Sequence, residues 1–298
     1  MNGIINILKP PNMTSHDVVG LIRRTLKIKK VGHTGTLDPM ACGVLPICVG
    51  QATKVSQYLL NDRKKYRCEM VLGSNTDTQD RWGTIVHERP VNVDEEQILG
   101  VFEEFKGEIL QTPPMYSALK KDGRKLYELA REGKTVERKS RKIYIYNIEV
   151  IRILGNNILF DVECSKGTYV RTICEDVGNK LGCGAHMTFL LRTQTGGFHL
   201  EDTVTIEDIE RLSIEELEKE FYPLDYPIQS FPKVLVHDWA ERFLLNGNTI
   251  YMKNIKENDE LKEDDLVRMY SKDKFIAIGR VKKDKDNNVY IDTDRVFH

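Results

Sequence analysis

The sequence predicts an α+β fold: a mixed, largely antiparallel central sheet flanked by helices, followed by a small C-terminal β-barrel. Three observations carry this. Segments with strand periodicity and segments with helix periodicity occur together but do not alternate strictly, which argues against repeated βαβ units. Pro223, Pro227 and Pro232 punctuate one short stretch that reads as a linker. Beyond it come short strand-like runs and one short helix, a pattern that fits a small barrel. The expected division is 1–228 for the first domain and 231–298 for the second.

The elements follow in order. Val18, Val19, Ile22 and Leu26 share one face of a helix over 16–27, with Arg23, Arg24 and Lys27 near the end where a helix dipole favours cations. From Tyr66 to Leu72 apolar and charged residues alternate, so a strand is expected with Tyr66, Cys68, Met70 and Leu72 facing inward. Asp94 and Gln97 form a capping-box pair at the start of a helix whose apolar face is Ile98, Leu99, Phe102 and Phe105. Two strands, Ile143–Ile151 and Ile158–Cys164, flank a turn at Gly155-Asn156-Asn157. Val170, Ile173, Cys174, Val177 and Leu181 recur at helical spacing over 168–181. Thr205 with Asp208 and Ser213 with Glu216 start two more helices, the second ended by Pro223. A helix at about 238–246 and strands near 249–254, 266–270, 274–281 and 288–292 complete the chain.

The 44 basic and 45 acidic residues nearly cancel, which excludes a uniformly basic protein. The charge is unevenly distributed, however. Residues 1–67 hold eleven Lys or Arg against three Asp or Glu, and residues 116–142 hold ten against four. Residues 201–230 reverse the balance, two against ten. Two basic segments brought together would form a positive face suited to nucleic acid, with the acidic stretch turned away from it; solvated Lys-rich loops are the plain alternative. With 40% apolar residues, disorder is excluded. The opening stretch lacks a basic leader region, and no apolar run is long enough to span a membrane, so a cytoplasmic protein is expected. The six cysteines form no CxxC pair and no zinc spacing, so they are read as packing residues.

Chemistry concentrates in residues 31–46. Three glycines and two prolines there preclude a regular helix or strand, so the segment is a structured loop. Pro39 holds Asp38 extended and would present its carboxylate in a fixed direction. Asp38 lies in a basic segment, where cations would lower its pKa and keep it ionised. That suits a nucleophile or a metal ligand, although no second acidic residue stands close by in sequence to share a cation. An Asp that merely closes a turn is the bland alternative.

The run GHTGTLDPMACGVLPICVGQATK, residues 32–54, closely resembles the catalytic motif of the TruB-type tRNA pseudouridine synthases, which make pseudouridine at position 55 in the T-loop of tRNA. The resemblance continues along the chain. Lys9-Pro10-Pro11-Asn12-Met13-Thr14-Ser15 resembles the family's KPxGxTS motif, with Asn12 where Gly is usual; Asn tolerates the left-handed conformation such a turn needs. Lys65-Tyr66-Arg67 resembles the tyrosine motif, Gln111–Ala118 the QxPPxYSA segment, and Ser165–Thr172 the SKGTYxRT motif. Leu190 matches an active-site leucine, and the tail is similar to a PUA-type RNA-binding domain.

What the resemblance implies is specific. Asp38 would be the nucleophile that helps break the N1–C1′ bond of a flipped-out uridine, and Arg171 would pair with it. Tyr66 would stack on the uracil and take part in proton transfer. His33 and Tyr169 would contact the substrate, and Leu190 would wall the pocket. The basic insertion at about 113–142 would act as a thumb. Arg23, Arg24, Lys120, Lys121, Arg124 and Arg141 would meet RNA phosphates. The partner would be tRNA, at its T-loop and elbow, with the PUA-like domain directed toward the acceptor stem. The resemblance implies no metal, no cofactor, no membrane and a monomer. A protein that assists tRNA folding, or a synthase acting on another RNA, are the alternatives.

Overall fold

The computed structural model describes residues 1–59 and 63–297. Ten of its strands build one large sheet. They are β1 (Gly3–Lys9), β2 (Val31–His33), β3 (Cys42–Val49), β4 (Lys64–Leu72), β7 (Gly107–Gln111), β10 (Arg141–Leu154), β11 (Asn157–Cys164), β12 (Ala185–Thr195), β13 (Phe198–His199) and β14 (Phe221–Tyr222). Two short hairpins lie outside it, β5 (Ser74–Thr76) with β6 (Ile85–Glu88), and β8 (Lys120–Lys121) with β9 (Arg124–Lys125). The main order is β14-β1-β3-β12-β4-β11-β10-β7, with β2 on β3 and β13 on β12.

Every pairing in the sheet is antiparallel except β3 with β12, where Leu191 faces Cys42 and Arg192 faces Gly43. This parallel junction joins the two halves of the sheet. Gly43 permits it: its φ of 111° is open to glycine, and a Cβ there would run into the Arg192 backbone. Strand β4 is buried on alternate residues, as its sequence predicts, with Tyr66, Cys68, Met70 and Leu72 inward.

Helices cover each half separately. Helices α3 (Glu95–Glu103) and α5 (Val170–Lys180) bury Ile98, Phe102, Ile173, Cys174 and Val177 against β4, β10 and β11. Helices α1 (Ser15–Leu26), α6 (Ile206–Arg211) and α7 (Ile214–Lys219) bury Val18, Val19, Ile22, Ile209 and Leu217 against β1 and β3. The predicted capping boxes at Asp94, Thr205 and Ser213 are all formed. Two details differ from expectation. Leu99 is exposed, because only one flank of α3 meets the sheet. Helix α7 ends at Lys219, ahead of Pro223, because the chain turns extended to pair β14 with β1. Residues 201–219 pack on the α1 side of the sheet.

The stretch around Pro223, Pro227 and Pro232 is not a loose linker. Tyr222 packs edge-on and Tyr226 at a tilt against Phe198, Ile228 is buried, and Asp225 binds Tyr270 and Arg268. The prolines instead shape a packed turn between two cores.

After that turn, β15 (Lys233–Val236), β16 (Ile250–Tyr251), β17 (Ile255–Asn258), β18 (Leu266–Ser271), β19 (Lys274–Lys283) and β20 (Val289–Val296) form a curled six-stranded sheet around Val234, Met269, Ala277 and Ile291. Strands β15 and β17 have too few alternating residues to announce themselves in sequence. No helix among the described residues is long and apolar enough to cross a membrane.

Candidate active site

Asp38 lies in the loop between β2 and β3, beside the parallel junction. The expectation of no regular strand over 31–46 is corrected: Val31–His33 and the start of Cys42–Val49 are strands, because backbone pairing along β3 tolerates Gly43 and Pro46. Both sides of the loop are tied down by the N-terminal segment. Ser15 Oγ accepts from Leu37 N (2.9 Å), and Lys9 Nζ donates to the carbonyl of Pro39 (3.0 Å). Lys9 also donates to the carbonyls of Pro10 (2.8 Å) and Met13 (2.6 Å), and its side chain is fully buried. Asn12 takes the expected left-handed conformation, with φ of 65°, and so folds the KPPNMTS segment around the ammonium. Three carbonyls satisfy the three donors of a lysine, and a buried ammonium needs that. Burial still lowers the Lys9 pKa to about 8.

Arg171 enters from the first turn of α5. Its side chain is 6% exposed, whereas that of Asp38 is 38% exposed, and they meet at 3.1 Å. The guanidinium also donates to the carbonyls of Tyr116 (2.7 Å) and Thr78 (3.4 Å), and Asp80 Oδ2 stands 3.9 Å away. One arginine thus joins the Asp38 loop, the Gln111–Ala118 segment and the turn after β5. A cation in a helix's first turn opposes the dipole, and these acceptors compensate it.

The expectation that cations hold the Asp38 pKa low is corrected. Burial raises it above the ordinary carboxylate value, Arg171 and Lys9 pull it down, and Asp80 pushes it up again. Desolvation outweighs the neighbouring charges, and Asp80 is an acidic neighbour that the local sequence did not reveal.

Tyr66 is buried on β4 directly across from Arg192 of β12. Burial raises its pKa, and the positive charge of Arg192 opposes that. Arg192 is 1% exposed, and donates to the carbonyls of Val44 (2.7 Å) and Gly35 (3.2 Å). Leu190 is buried in the same cluster as Tyr66 and Leu37. Tyr169 precedes α5, and Gln111 braces its backbone in both directions, at 2.8 and 3.0 Å. Its ring lies between Arg141 (5.1 Å) and Arg171 (5.8 Å). His33 is half-buried, its Nδ1 has no hydrogen-bond partner among the described residues, and burial lowers its pKa, which favours the neutral ring. Cys42 Sγ approaches the Leu190 carbonyl at 3.5 Å, a packing contact with its pKa raised by burial.

The basic residues expected at RNA phosphates behave differently from one another. Arg24 and Lys120 are exposed; Lys121 is exposed too, but its Nζ donates to the Glu137 carbonyl (2.8 Å). Arg124 is exposed but paired with Glu132. Arg23 donates to the Val31 carbonyl (2.8 Å), and Arg141 to the Gly167 carbonyl. Among the described residues no three His, Cys, Asp or Glu side chains converge as a metal site would require.

Sequence reasoning missed Lys9, Asp80 and Arg192. Lys9 carried a faint signal, as a cation closing a largely apolar strand, whereas Arg192 lies in a strand of mixed polarity and carried none.

Residues 23–170 match the model of the TruB family pseudouridylate synthase N-terminal domain, and residues 171–231 that of the tRNA pseudouridylate synthase B C-terminal domain. The chain is 49% identical to tRNA pseudouridine synthase B of Alkaliphilus oremlandii, covering 98% of this chain and 97% of the relative. It is 46% identical to that of Clostridioides difficile, covering both chains fully. Among solved structures it is similar to a chain of an H/ACA RNP bound to a substrate RNA, with TM-score 0.76 and 30% identity over 99% of this chain and 85% of the other. A chain of a Cbf5-Nop10-Gar1 complex is similar at TM-score 0.76, 31% identity and the same coverage.

Proposed function

The chain belongs to the TruB family of pseudouridylate synthases, and from that premise we infer that it converts uridine to pseudouridine in tRNA, at position 55 of the T-loop. The observation that carries the chemistry is the 3.1 Å pair of a buried Arg171 and a partly exposed Asp38. The carboxylate is oriented, charged when deprotonated, and open on one side.

The reaction breaks N1–C1′, turns the uracil, joins C5 to C1′ and moves the C5 proton to N1. Asp38 either attacks covalently or stabilises positive charge developing at C1′. Arg171 holds it in line. The Tyr66 ring offers a face to the displaced uracil, and its hydroxyl is the group we assign to proton transfer. Leu190, His33 and Tyr169 complete the walls. A base must leave the RNA stack to reach Asp38, at a cost of about a few kcal/mol, and this aromatic and apolar lining offsets it. No step needs a cofactor.

The exposed cations Arg24 and Lys120 are proposed phosphate contacts. Lys121, Arg23, Arg124 and Arg141 would first have to leave protein partners. The thumb at about 113–142, a boundary between 228 and 231, a C-terminal sheet directed toward the acceptor stem, a monomer and a cytoplasmic location belong to the same reading. Tritium release from tRNA labelled at uracil C5 tests it. Wild-type protein should release tritium from a single position and Asp38→Asn should release none. Normal turnover by Asp38→Asn would refute the mechanism. If that inactive variant still speeds tRNA refolding, a folding role coexists with catalysis.

A further inference from the structure

Trp82 stands at the tip of the turn between β5 and β6, and its side chain is left 47% exposed. A large aromatic ring held in water has an unmet apolar face. This one sits on a rigid mount. Asp80 Oδ1 accepts from Trp82 N (3.1 Å) and Thr78 Oγ1 (2.7 Å), and Asp77 Oδ1 accepts from Thr84 N (2.8 Å). Arg81 N donates to the Met187 carbonyl (2.8 Å), fastening the turn to β12. Gly83 has no room for a side chain against Thr78 and Asp77. The other oxygen of Asp80 faces Arg171, the partner of Asp38. The turn that carries Trp82 is therefore built into the wall of the active site. The Arg81 guanidinium lies 5.8 Å from the indole centroid and adds a positive charge beside the ring.

We propose that Trp82 is a stacking platform for a nucleobase of the substrate RNA next to the reacting uridine. This rests on the function proposed above. Extruding one base deprives its neighbours of a stacking partner, and an exposed indole next to a cation supplies a π-face and a phosphate contact together. Stacking of this kind is tolerant of base identity, so the platform would serve binding rather than sequence choice.

Trp82 and Trp239 are the two tryptophans of the chain, so Trp239→Phe leaves Trp82 as sole reporter. In an Asp38→Asn, Trp239→Phe protein, unmodified tRNA transcript should quench the emission saturably, along the curve that filter binding gives. Trp82→Ala should raise KM by about tenfold to a hundredfold while kcat stays within about twofold, and Trp82→Phe should restore most of the loss. Unchanged emission at saturating tRNA would overturn the proposal, as would an unchanged KM for Trp82→Ala with or without quenching. A circular dichroism melt of Trp82→Ala matching the parent excludes misfolding; a lowered melt with no quenching also counts against stacking. Should wild-type protein make no pseudouridine in tRNA, the proposed function fails; an active wild type with an unaffected Trp82→Ala fails only the platform.

Discussion

Arg171 and Asp38 form an unequal pair: the cation is sealed in the protein and the carboxylate is partly exposed, 3.1 Å away. Burial and Asp80 raise the Asp38 pKa, and Arg171 and Lys9 restrain it. Catalysis needs the ionised carboxylate. The acid limb of kcat/KM should therefore lie above the ordinary Asp value of about 3.9. Arg171→Met removes the restraint, so it should move that limb to higher pH and cut kcat about a hundredfold or more near neutrality. Arg171→Lys keeps the charge but loses the fork that also holds Tyr116 and Thr78, so it should shift the limb less and still lose rate. A pH profile of tritium release checks both. A limb that stays put in Arg171→Met would remove this assignment.

Lys9 gives a stability test with a definite sign. Its folded pKa is about 8, against 10.5 for the free side chain. Between those values the unfolded chain holds a proton the folded one has released, so wild-type stability should rise with pH across that window. Below pH 8 the buried charge is held at a cost. Lys9→Met has no such proton, and so the stability of wild type relative to this variant should grow from pH 7.5 to 9.5 in urea titrations. At pH 7.5 the variant should still lose activity, because nothing then holds the Pro39 carbonyl next to Asp38.

Arg192 faces Tyr66 across the strand pair and also holds the carbonyls of Val44 and Gly35. Arg192→Gln should push the Tyr66 hydroxyl further up and lower kcat, with KM little changed. If the effect runs through that hydroxyl, Tyr66→Phe should abolish it, so the double variant should be no slower than Tyr66→Phe alone. Equal losses in both backgrounds would instead assign Arg192 to holding the Asp38 loop. Either way, stability should fall by about 1–3 kcal/mol, since a buried carbonyl is left without a donor.

Much of the site was legible because its signals are local. The glycines and prolines of 31–46 mark the Asp38 loop, although they hid the strands at Val31–His33 and Cys42–Val49 that flank it; the Asp-Pro pair aims its carboxylate, and alternation along 66–72 turns Tyr66 inward. Long-range events were not legible. Asp80 lies 91 residues before Arg171, and nothing beside it in sequence foretells that its carboxylate faces that guanidinium. No role could be assigned to Lys9 or Arg192 from sequence, because burial of a charge depends on acceptors such as the Pro39, Val44 and Gly35 carbonyls, which lie far away along the chain. The proline-rich turn misled for the same reason: proline stiffens a segment whether or not other residues pack on it, and here Phe198, Tyr270 and Arg268 do.

That packing leads to the last prediction. Val55 and Ile228 share one cluster with Ile278 of the C-terminal sheet and with Phe297 just beyond its last strand, Tyr58 donates to Asp294 at 2.5 Å, and Lys54 donates to the Val296 carbonyl at 2.8 Å. A tethered module would unfold on its own, whereas a sheet sharing its core with the rest should unfold with it. Calorimetry of the full chain should show one transition. Phe297→Ala removes the ring that links the two sides and should cost about 3 kcal/mol, enough to separate the transitions, with the C-terminal sheet melting first. Tyr58→Phe should cost about 1 kcal/mol and leave them merged. Two transitions already present in the wild type would mean that the contacts at Val55 and Ile228 do not couple the two cores.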